Sequence, residues 1–207
     1  MRIKFALALL LLPVMVYAQE QLPPAVVIGK NVKEKYLVRP GAKVMGNNAL
    51  GAFQLRSEKD MEREIGTITQ VKKPFLVKDI SLSIHENTIP GCVAAINIYQ
   101  IGGKKEPLFF NIAVSDKPKD YHIRPEKPLV LEPGKYFIGF QIAGCDKEAL
   151  KAFLAKPEKE RKYYEMALYF VLHFKNGHGR ETPQSKMERN HFNMGLAVKG
   201  TDYKNPQ

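Results

Sequence analysis

Three histidines in the last third of the chain, His173, His178 and His191, come nearest to a metal-binding set. The Asn176-Gly177 pair is typical of a β-hairpin turn, which would bring His173 and His178 close together. Three imidazoles can bind zinc or copper. Their spacing matches no compact metal motif, so we predict no bound metal or other cofactor and keep these histidines as the candidate ligands.

Residues for hydrolytic chemistry are present, but they form no catalytic pattern. The chain has no Gly-x-Ser-x-Gly elbow, phosphate loop or dinucleotide motif. Two carboxylates about 5–9 Å apart would suit a glycoside hydrolase. The candidates for such a pair are Asp79, Glu86, Asp116, Asp120 and Glu165. Since the sequence brings no two of them together, we predict no catalytic residue and keep a secreted glycan hydrolase as an alternative.

Aromatic side chains on the surface would be needed to stack on sugar rings. The chain has no Trp, which would supply the broadest platform. The tyrosines that could serve instead are Tyr99, Tyr121, Tyr163 and Tyr169. Packing in the core explains most of them equally well.

The first 18 residues have the parts of a secretory signal peptide in the right order. Arg2 and Lys4 are followed by the apolar run Phe5–Leu12 and by Val16-Tyr17-Ala18, where a signal peptidase would cleave. A membrane anchor is the alternative, but the run is shorter than the roughly 20 residues of a spanning helix. We therefore predict an exported protein of the periplasm or cell surface, with no transmembrane segment after cleavage.

The charge of the chain is strongly basic. Loss of Arg2 and Lys4 with the signal leaves 30 of the 32 basic residues against 21 acidic ones, a net charge of +9. This excess favours anionic partners, and export excludes cytoplasmic nucleic acid. The alternative is that scattered lysines keep an exposed sheet soluble and protect its edges.

The two cysteines, Cys92 and Cys145, can form a disulfide in an oxidising compartment. The bond would stabilise the fold by about 2–4 kcal/mol. Two buried thiols that behave as small apolar side chains are the equal alternative.

Alternation of apolar and polar residues with a period of two dominates the chain after its first 42 residues. It predicts about nine strands: Gly51–Leu55, Ile65–Thr69, Phe75–Asn87, Cys92–Gln100, Leu108–Val114, Leu129–Leu131, Tyr136–Ala143, Tyr164–Phe174 and Met194–Lys199. Short turn-forming links favour antiparallel neighbours. The fold class predicted is all-β, a two-sheet antiparallel β-sandwich of jelly-roll type, with a leader and possible edge strand at 19–42, the sandwich at 43–200 and a tail at 201–207.

One short helix interrupts this pattern. Asp146 can cap a helix that places Ala149, Leu150, Phe153 and Leu154 on one side. Pro157 would end it.

Several segments also resemble a known group of proteins. The segments are Leu22–Lys30, Glu64-Ile65-Gly66, Val77–Asn87 and Ala95–Tyr99. Over roughly Leu22 to Cys145 the chain resembles exported β-sandwich domains of Bacteroidetes that often accompany a carboxypeptidase-regulatory-like module. The resemblance implies a periplasmic or surface location and a jelly-roll-like fold, without an assigned activity. The regulatory-like module has no counterpart here, so no role of that module is carried over.

The function expected from these observations is a non-enzymatic binding or assembly domain that docks an envelope protein or a glycan, anionic partners included. The hydrolase and the histidine metal site are the alternatives.

Overall fold

The computed structural model describes residues 33–39, 42–43, 50–103 and 106–203. The predicted signal peptide and residues 19–32 of the predicted leader lie outside these residues. Within them, one sheet (sheet A) contains seven strands: β1 (Lys35–Val38), β3 (Leu50–Gln54), β5 (Phe75–Asn87), β8 (Lys119–Ile123), β9 (Leu129–Leu131), β11 (Ala167–Val171) and β14 (Ala197–Asp202).

The second sheet (sheet B) also contains seven strands among the described residues: β2 (Ala42–Lys43), β4 (Glu64–Val71), β6 (Val93–Gln100), β7 (Glu106–Asn111), β10 (Gly134–Gly144), β12 (His173–Arg180) and β13 (Glu188–Asn193). All pairings between named strands are antiparallel. A single α-helix in this part of the chain, α1 (Lys147–Ala155), and two 3-10 turns, Glu58–Glu62 and Glu158–Glu160, complete the fold. The predicted all-β, two-sheet sandwich with one short helix is confirmed.

Strand β5 is the central strand of sheet A and pairs with four other strands. It pairs along one edge with β8 and β9 and along the other with β11 and β14. Its pairing with β14 skips Lys78, since Lys199 faces Asp79 and Gly200 faces Val77. This bulge changes the phase of the strand, so that Val77 and Ile80 are both buried.

The core lies between the sheets and is formed by the apolar positions of the alternating strands. In sheet B, Phe140 of β10 lies between Ile65 of β4 and Ile96 of β6. In sheet A, Ile80 and its alternating neighbours face the same core, and Ile80 is fully buried. Burial of these side chains is the main favourable contribution to folding, about 1.5–3 kcal/mol for each large one.

The number of strands differs from the expectation. Fourteen strands are present in the described residues instead of about nine, because β1, β2, β8, β12 and β13 were not recognised or not separated. Strand β8 is largely exposed, so it lacks the apolar alternation that identifies a half-buried strand. The strand predicted over Tyr164–Phe174 divides into a turn, β11 and the beginning of β12.

The helix prediction is confirmed. The Asp146 carboxylate accepts hydrogen bonds from the backbone N–H groups of Glu148 and Ala149 at 2.9 and 3.0 Å, as expected for an N-cap. Leu150 and Phe153 are buried against the sandwich. The described part of the chain contains no helix with the length and apolar character needed to cross a membrane.

Candidate binding site

Two adjacent tyrosines are exposed in the link between α1 and β11. Tyr163 is 76% exposed and Tyr164 is 44% exposed. Their ring centroids are 5.5 Å apart and their planes meet at 81°. Large aromatic side chains grouped on a surface are typical of contact sites. We call these residues and the cavity beside them the tyrosine site.

The cavity next to Tyr164 has a volume of about 420 Å³ and is open to solvent. Its walls come from α1, from the turn after β5 and from the link that carries the two tyrosines. We call residues 162–166 of this link the tyrosine segment. The lining residues are Thr88, Pro90, Ala149, Ala152, Phe153, Lys156, Tyr164, Glu165 and Met166. A small, mostly apolar hollow with a few polar groups is the usual form of a ligand site.

Charged groups stand beside the aromatic rings. Lys156 Nζ lies 3.0 Å from Glu165 Oε2, and hydrogen bonding to this ammonium lowers the pKa of Glu165. A hydrogen bond with the Tyr164 side chain raises the pKa of Lys162, whose ammonium lies 5.6 Å from the Tyr164 ring centroid. The site therefore presents both hydrogen-bond donors and acceptors in charged form near neutral pH.

Hydrogen bonds from neighbouring elements hold the tyrosine segment in place. The Thr88 hydroxyl donates to the carbonyl of Tyr164 at 2.8 Å and accepts from the backbone N–H of Ala167 at 3.0 Å. The Gln54 amide donates to the carbonyls of Lys162 and Glu165, each at 3.3 Å. A site fixed in this way loses little conformational entropy when it binds.

The backbone at Met166 is strained. Its φ is 49°, in the left-handed region that residues other than Gly rarely adopt. The carbonyl of Met166 accepts from the N–H of Leu55 at 2.9 Å, and its side chain is 5% exposed. Strain of this kind persists only where the surrounding contacts enforce it, and it clusters at functional segments.

Of the four tyrosines predicted for sugar stacking, Tyr163 alone is largely exposed. Tyr99 is 8% exposed. Tyr121 is partly buried and packs against Phe110 at 5.9 Å between centroids. Tyr169 is half-buried and donates to the carbonyl of Tyr163 at 3.1 Å. Tyr164 was not among the predicted tyrosines, although two consecutive tyrosines between a predicted helix and a predicted strand indicate an exposed aromatic pair.

Three of the five predicted carboxylates, Asp79, Asp120 and Glu165, have basic or hydroxyl partners. Asp79 accepts from His122 Nδ1 at 2.9 Å and lies 3.6 Å from Arg124 Nε. Asp120 accepts from the Ser83 hydroxyl. Since Ser83 is four residues after Asp79 on β5, the two carboxylates are separated by about 13 Å along the sheet. Glu165 belongs to the tyrosine site, Asp116 is exposed in a loop, and Glu86 faces Tyr169 across the β5–β11 pair.

A larger open groove, about 820 Å³, lies on the outer face of sheet A near Asp79. Glu34 bridges Lys199 at 2.6 Å and Lys78 at 3.3 Å there, and hydrogen bonding to both lysines lowers its pKa. Ion pairs engage most charges of this groove. Its described lining residues include no Tyr or Phe, whereas the tyrosine site presents two exposed rings.

The predicted hairpin between His173 and His178 is wrong. Strand β12 continues through Asn176-Gly177, and the chain reverses only after Arg180. The two histidines pair with Asn193 and Arg189 of β13, four residues apart, which separates them by about 13 Å along the strand, too far to share one ion.

The surroundings of the predicted histidine ligands also differ from a metal site. His173 is 7% exposed and lies against Gly195, where φ is 64° and a Cβ would meet the ring at 2.4 Å. His191 lies on β13, but its side chain is outside what the structure describes. In the described ranges, no group of three His, Cys, Asp or Glu side chains is placed to hold a metal ion.

The two cysteines are neighbours across the sheet. Val93 of β6 pairs with Gly144 of β10; Cys92 directly precedes Val93 and Cys145 directly follows Gly144. Both cysteines are free thiols. Burial, and secondarily the charge of Cys145, raises the pKa of Cys92 to about 12. Their position is compatible with a bridge, and the disulfide stays a prediction.

No model of a known protein family matches this chain, and a search of curated proteins finds no match, so the function is argued from the site alone.

Proposed function

We propose that this protein is a non-catalytic binding domain that holds a glycan at the tyrosine site, outside the cytoplasm. The observation that carries the proposal is the pair of exposed, perpendicular rings of Tyr163 and Tyr164 beside an apolar cavity. The amino-terminal signal pattern supports the location.

The chemistry of the site suits a sugar. The faces of sugar rings carry C–H groups that pack on aromatic rings, and tyrosine adds a hydroxyl that can bond to the sugar edge. Two rings at 81° form a corner, so one can contact the face of a sugar while the other contacts its side. The Lys156–Glu165 pair offers a charged donor and a charged acceptor to hydroxyl groups.

Rigidity supports binding at this position. The tyrosine segment is tied to β3 through Gln54 and to the turn after β5 through Thr88. The backbone that carries the two tyrosines is therefore held in one conformation, which favours binding.

The test measures binding of the purified protein to a panel of oligosaccharides and polysaccharides by calorimetry and affinity electrophoresis. Tyr163→Ala and Tyr164→Ala should each weaken binding by roughly tenfold, as expected for loss of a contact worth about 1.4 kcal/mol. Tyr36→Ala is the matched control, because Tyr36 is 46% exposed on β1. Wild-type affinity in both site variants, or binding only to an envelope protein, would refute the proposal.

A further inference from the structure

A second group of polar residues lies on the face of sheet B that is turned away from the core. Glu64, at the start of β4, is 1% exposed. Its carboxylate accepts from Asn97 Nδ2 at 2.7 Å, the Tyr99 hydroxyl at 3.0 Å and Arg180 Nε at 2.8 Å. The negative charge of Glu64 is therefore fully engaged within the protein, and Arg180 is its ion-pair partner.

Arg63 precedes Glu64 in the chain and, unlike Arg180, has no acidic partner among the described residues. Its guanidinium carbon lies 4.1 Å from the centroid of the Phe53 ring, and Phe53 is 1% exposed. Its Nε is buried and has no hydrogen-bond partner. Within the described part of the chain, the Arg63 side chain also makes no ion pair. Buried donors in proteins are nearly always paired, so the unpaired Arg63 Nε–H is an exception that a bound acceptor would explain.

Arg63 lines a cavity of about 330 Å³, which we call the arginine cavity. The walls come from β3, from the start of β4 and from the end of β12 with the loop after it. The lining residues are Ala52, Phe53, Arg63, Glu64, Ile65, Gly179, Arg180, Glu181, Ser185, Lys186 and Glu188. The size is at the lower end of the range of small-molecule sites.

The charges around this cavity favour an anion near Arg63. Among the acidic lining residues, Glu64 is neutralised by Arg180, whereas Glu181 and Glu188 are exposed and therefore screened by solvent. Arg180 also donates from Nη1 to the carbonyl of Pro183 at 2.6 Å, so at least two of its five N–H donors are occupied. The donors of Arg63 remain available.

We propose that the arginine cavity binds the carboxylate of a small organic acid, with Arg63 as its main hydrogen-bond donor. The planar guanidinium matches a carboxylate with two parallel hydrogen bonds. The cation–π contact with the buried Phe53 ring, 4.1 Å from the guanidinium carbon, restricts the movement of this side chain. The site shares no lining residue with the tyrosine site and does not depend on the glycan proposal.

The test compares galacturonate with galactose, which has the same ring but no carboxylate. Galacturonate should bind at the arginine cavity and shift the NMR signal of the Arg63 Nε–H, and galactose should do neither at this cavity. Arg63→Gln should weaken binding of galacturonate by roughly tenfold or more. Arg124→Gln, which removes an exposed positive charge on sheet A, is the charge-matched control and should bind as the wild type does.

Two further variants keep the test decisive. Lys186→Gln changes an exposed side chain of the same cavity and should weaken binding a few-fold without affecting folding. The double variant Tyr163→Ala/Tyr164→Ala should bind galacturonate at the arginine cavity as the wild type does, which separates this proposal from the glycan site. Unchanged affinity in folded Arg63→Gln, equal affinity for galactose, or no shift of the Arg63 signal would overturn the inference.

Discussion

Replacement of Glu64 by Gln tests the buried hydrogen-bond network that Glu64 forms on sheet B. The Glu64 carboxylate accepts three hydrogen bonds, from Asn97, Tyr99 and Arg180, at 2.7, 3.0 and 2.8 Å. A glutamine has one acceptor oxygen and an NH₂ group that would face one of these donors. The Arg180 guanidinium, whose side chain is 17% exposed, would keep its charge without an anionic partner.

Removal of one member of a buried ion pair costs about 3–5 kcal/mol, because the other charge stays buried and unpaired. The total free energy of unfolding of a domain is about 5–15 kcal/mol, so this loss is a large share of it. For a chain of this size each kcal/mol corresponds to roughly 2–4 °C, which predicts a fall in Tm of about 6–20 °C. Thermal and urea unfolding followed by circular dichroism would measure both quantities.

Two controls make the interpretation specific. Glu181→Gln changes an exposed glutamate beside the same network and should alter the free energy of unfolding by less than about 0.5 kcal/mol. Glu64→Gln combined with Arg180→Gln should cost at least about 1 kcal/mol less than the sum of the single changes, because the unpaired charge is gone. A loss below about 1 kcal/mol in Glu64→Gln, or strict additivity in the double variant, would refute the view that Arg180 depends on Glu64.

Two other predictions concern the tyrosine segment and the cysteines. Thr88→Val keeps the shape of the side chain but removes its hydrogen bonds to Tyr164 and Ala167. Glycan affinity should therefore fall several-fold, although neither tyrosine ring is changed. Wild-type affinity measured by calorimetry would contradict the role of rigidity. In the reduced protein at pH 8, iodoacetamide should modify Cys145 before Cys92, because burial raises the pKa of Cys92 to about 12 and keeps it protonated. Mass spectrometry would measure the rate of modification of each cysteine, and the two rates should become equal in urea. Faster modification of Cys92 in the native protein would refute the prediction.

The elements that could be predicted from sequence are those whose pattern is local. The limits of β5 and β9 agree with prediction to the residue. In β5 the reason is the alternation of Ile80, Leu82 and Ile84 with polar residues, which marks a strand with one face on the core. The helix α1 was equally clear, since the cap at Asp146 and the apolar side of the helix lie within ten residues. Exposed strands such as β8 have no such pattern, and their place in the sheet comes from pairing with β5.

The sites depended on the tertiary structure. The sequence marked Tyr163 as a candidate, but its exposure beside Tyr164 results from the turn at Met166 and from hydrogen bonds with Thr88. The Asn176-Gly177 pair predicted a turn, yet pairing of β12 with β4 and β13 keeps the strand extended.

The same distinction applies to the arginine cavity. Glu64 meets Asn97 and Arg180 only because β4 lies between β10 and β12 in sheet B. These contacts join residues 33 and 116 positions apart. Local alternation determines which face of a strand is apolar, whereas the choice of neighbouring strands is a property of the whole chain. The sequence alone thus determined a basic all-β sandwich with one short helix, and strand pairing decided which polar and aromatic side chains meet.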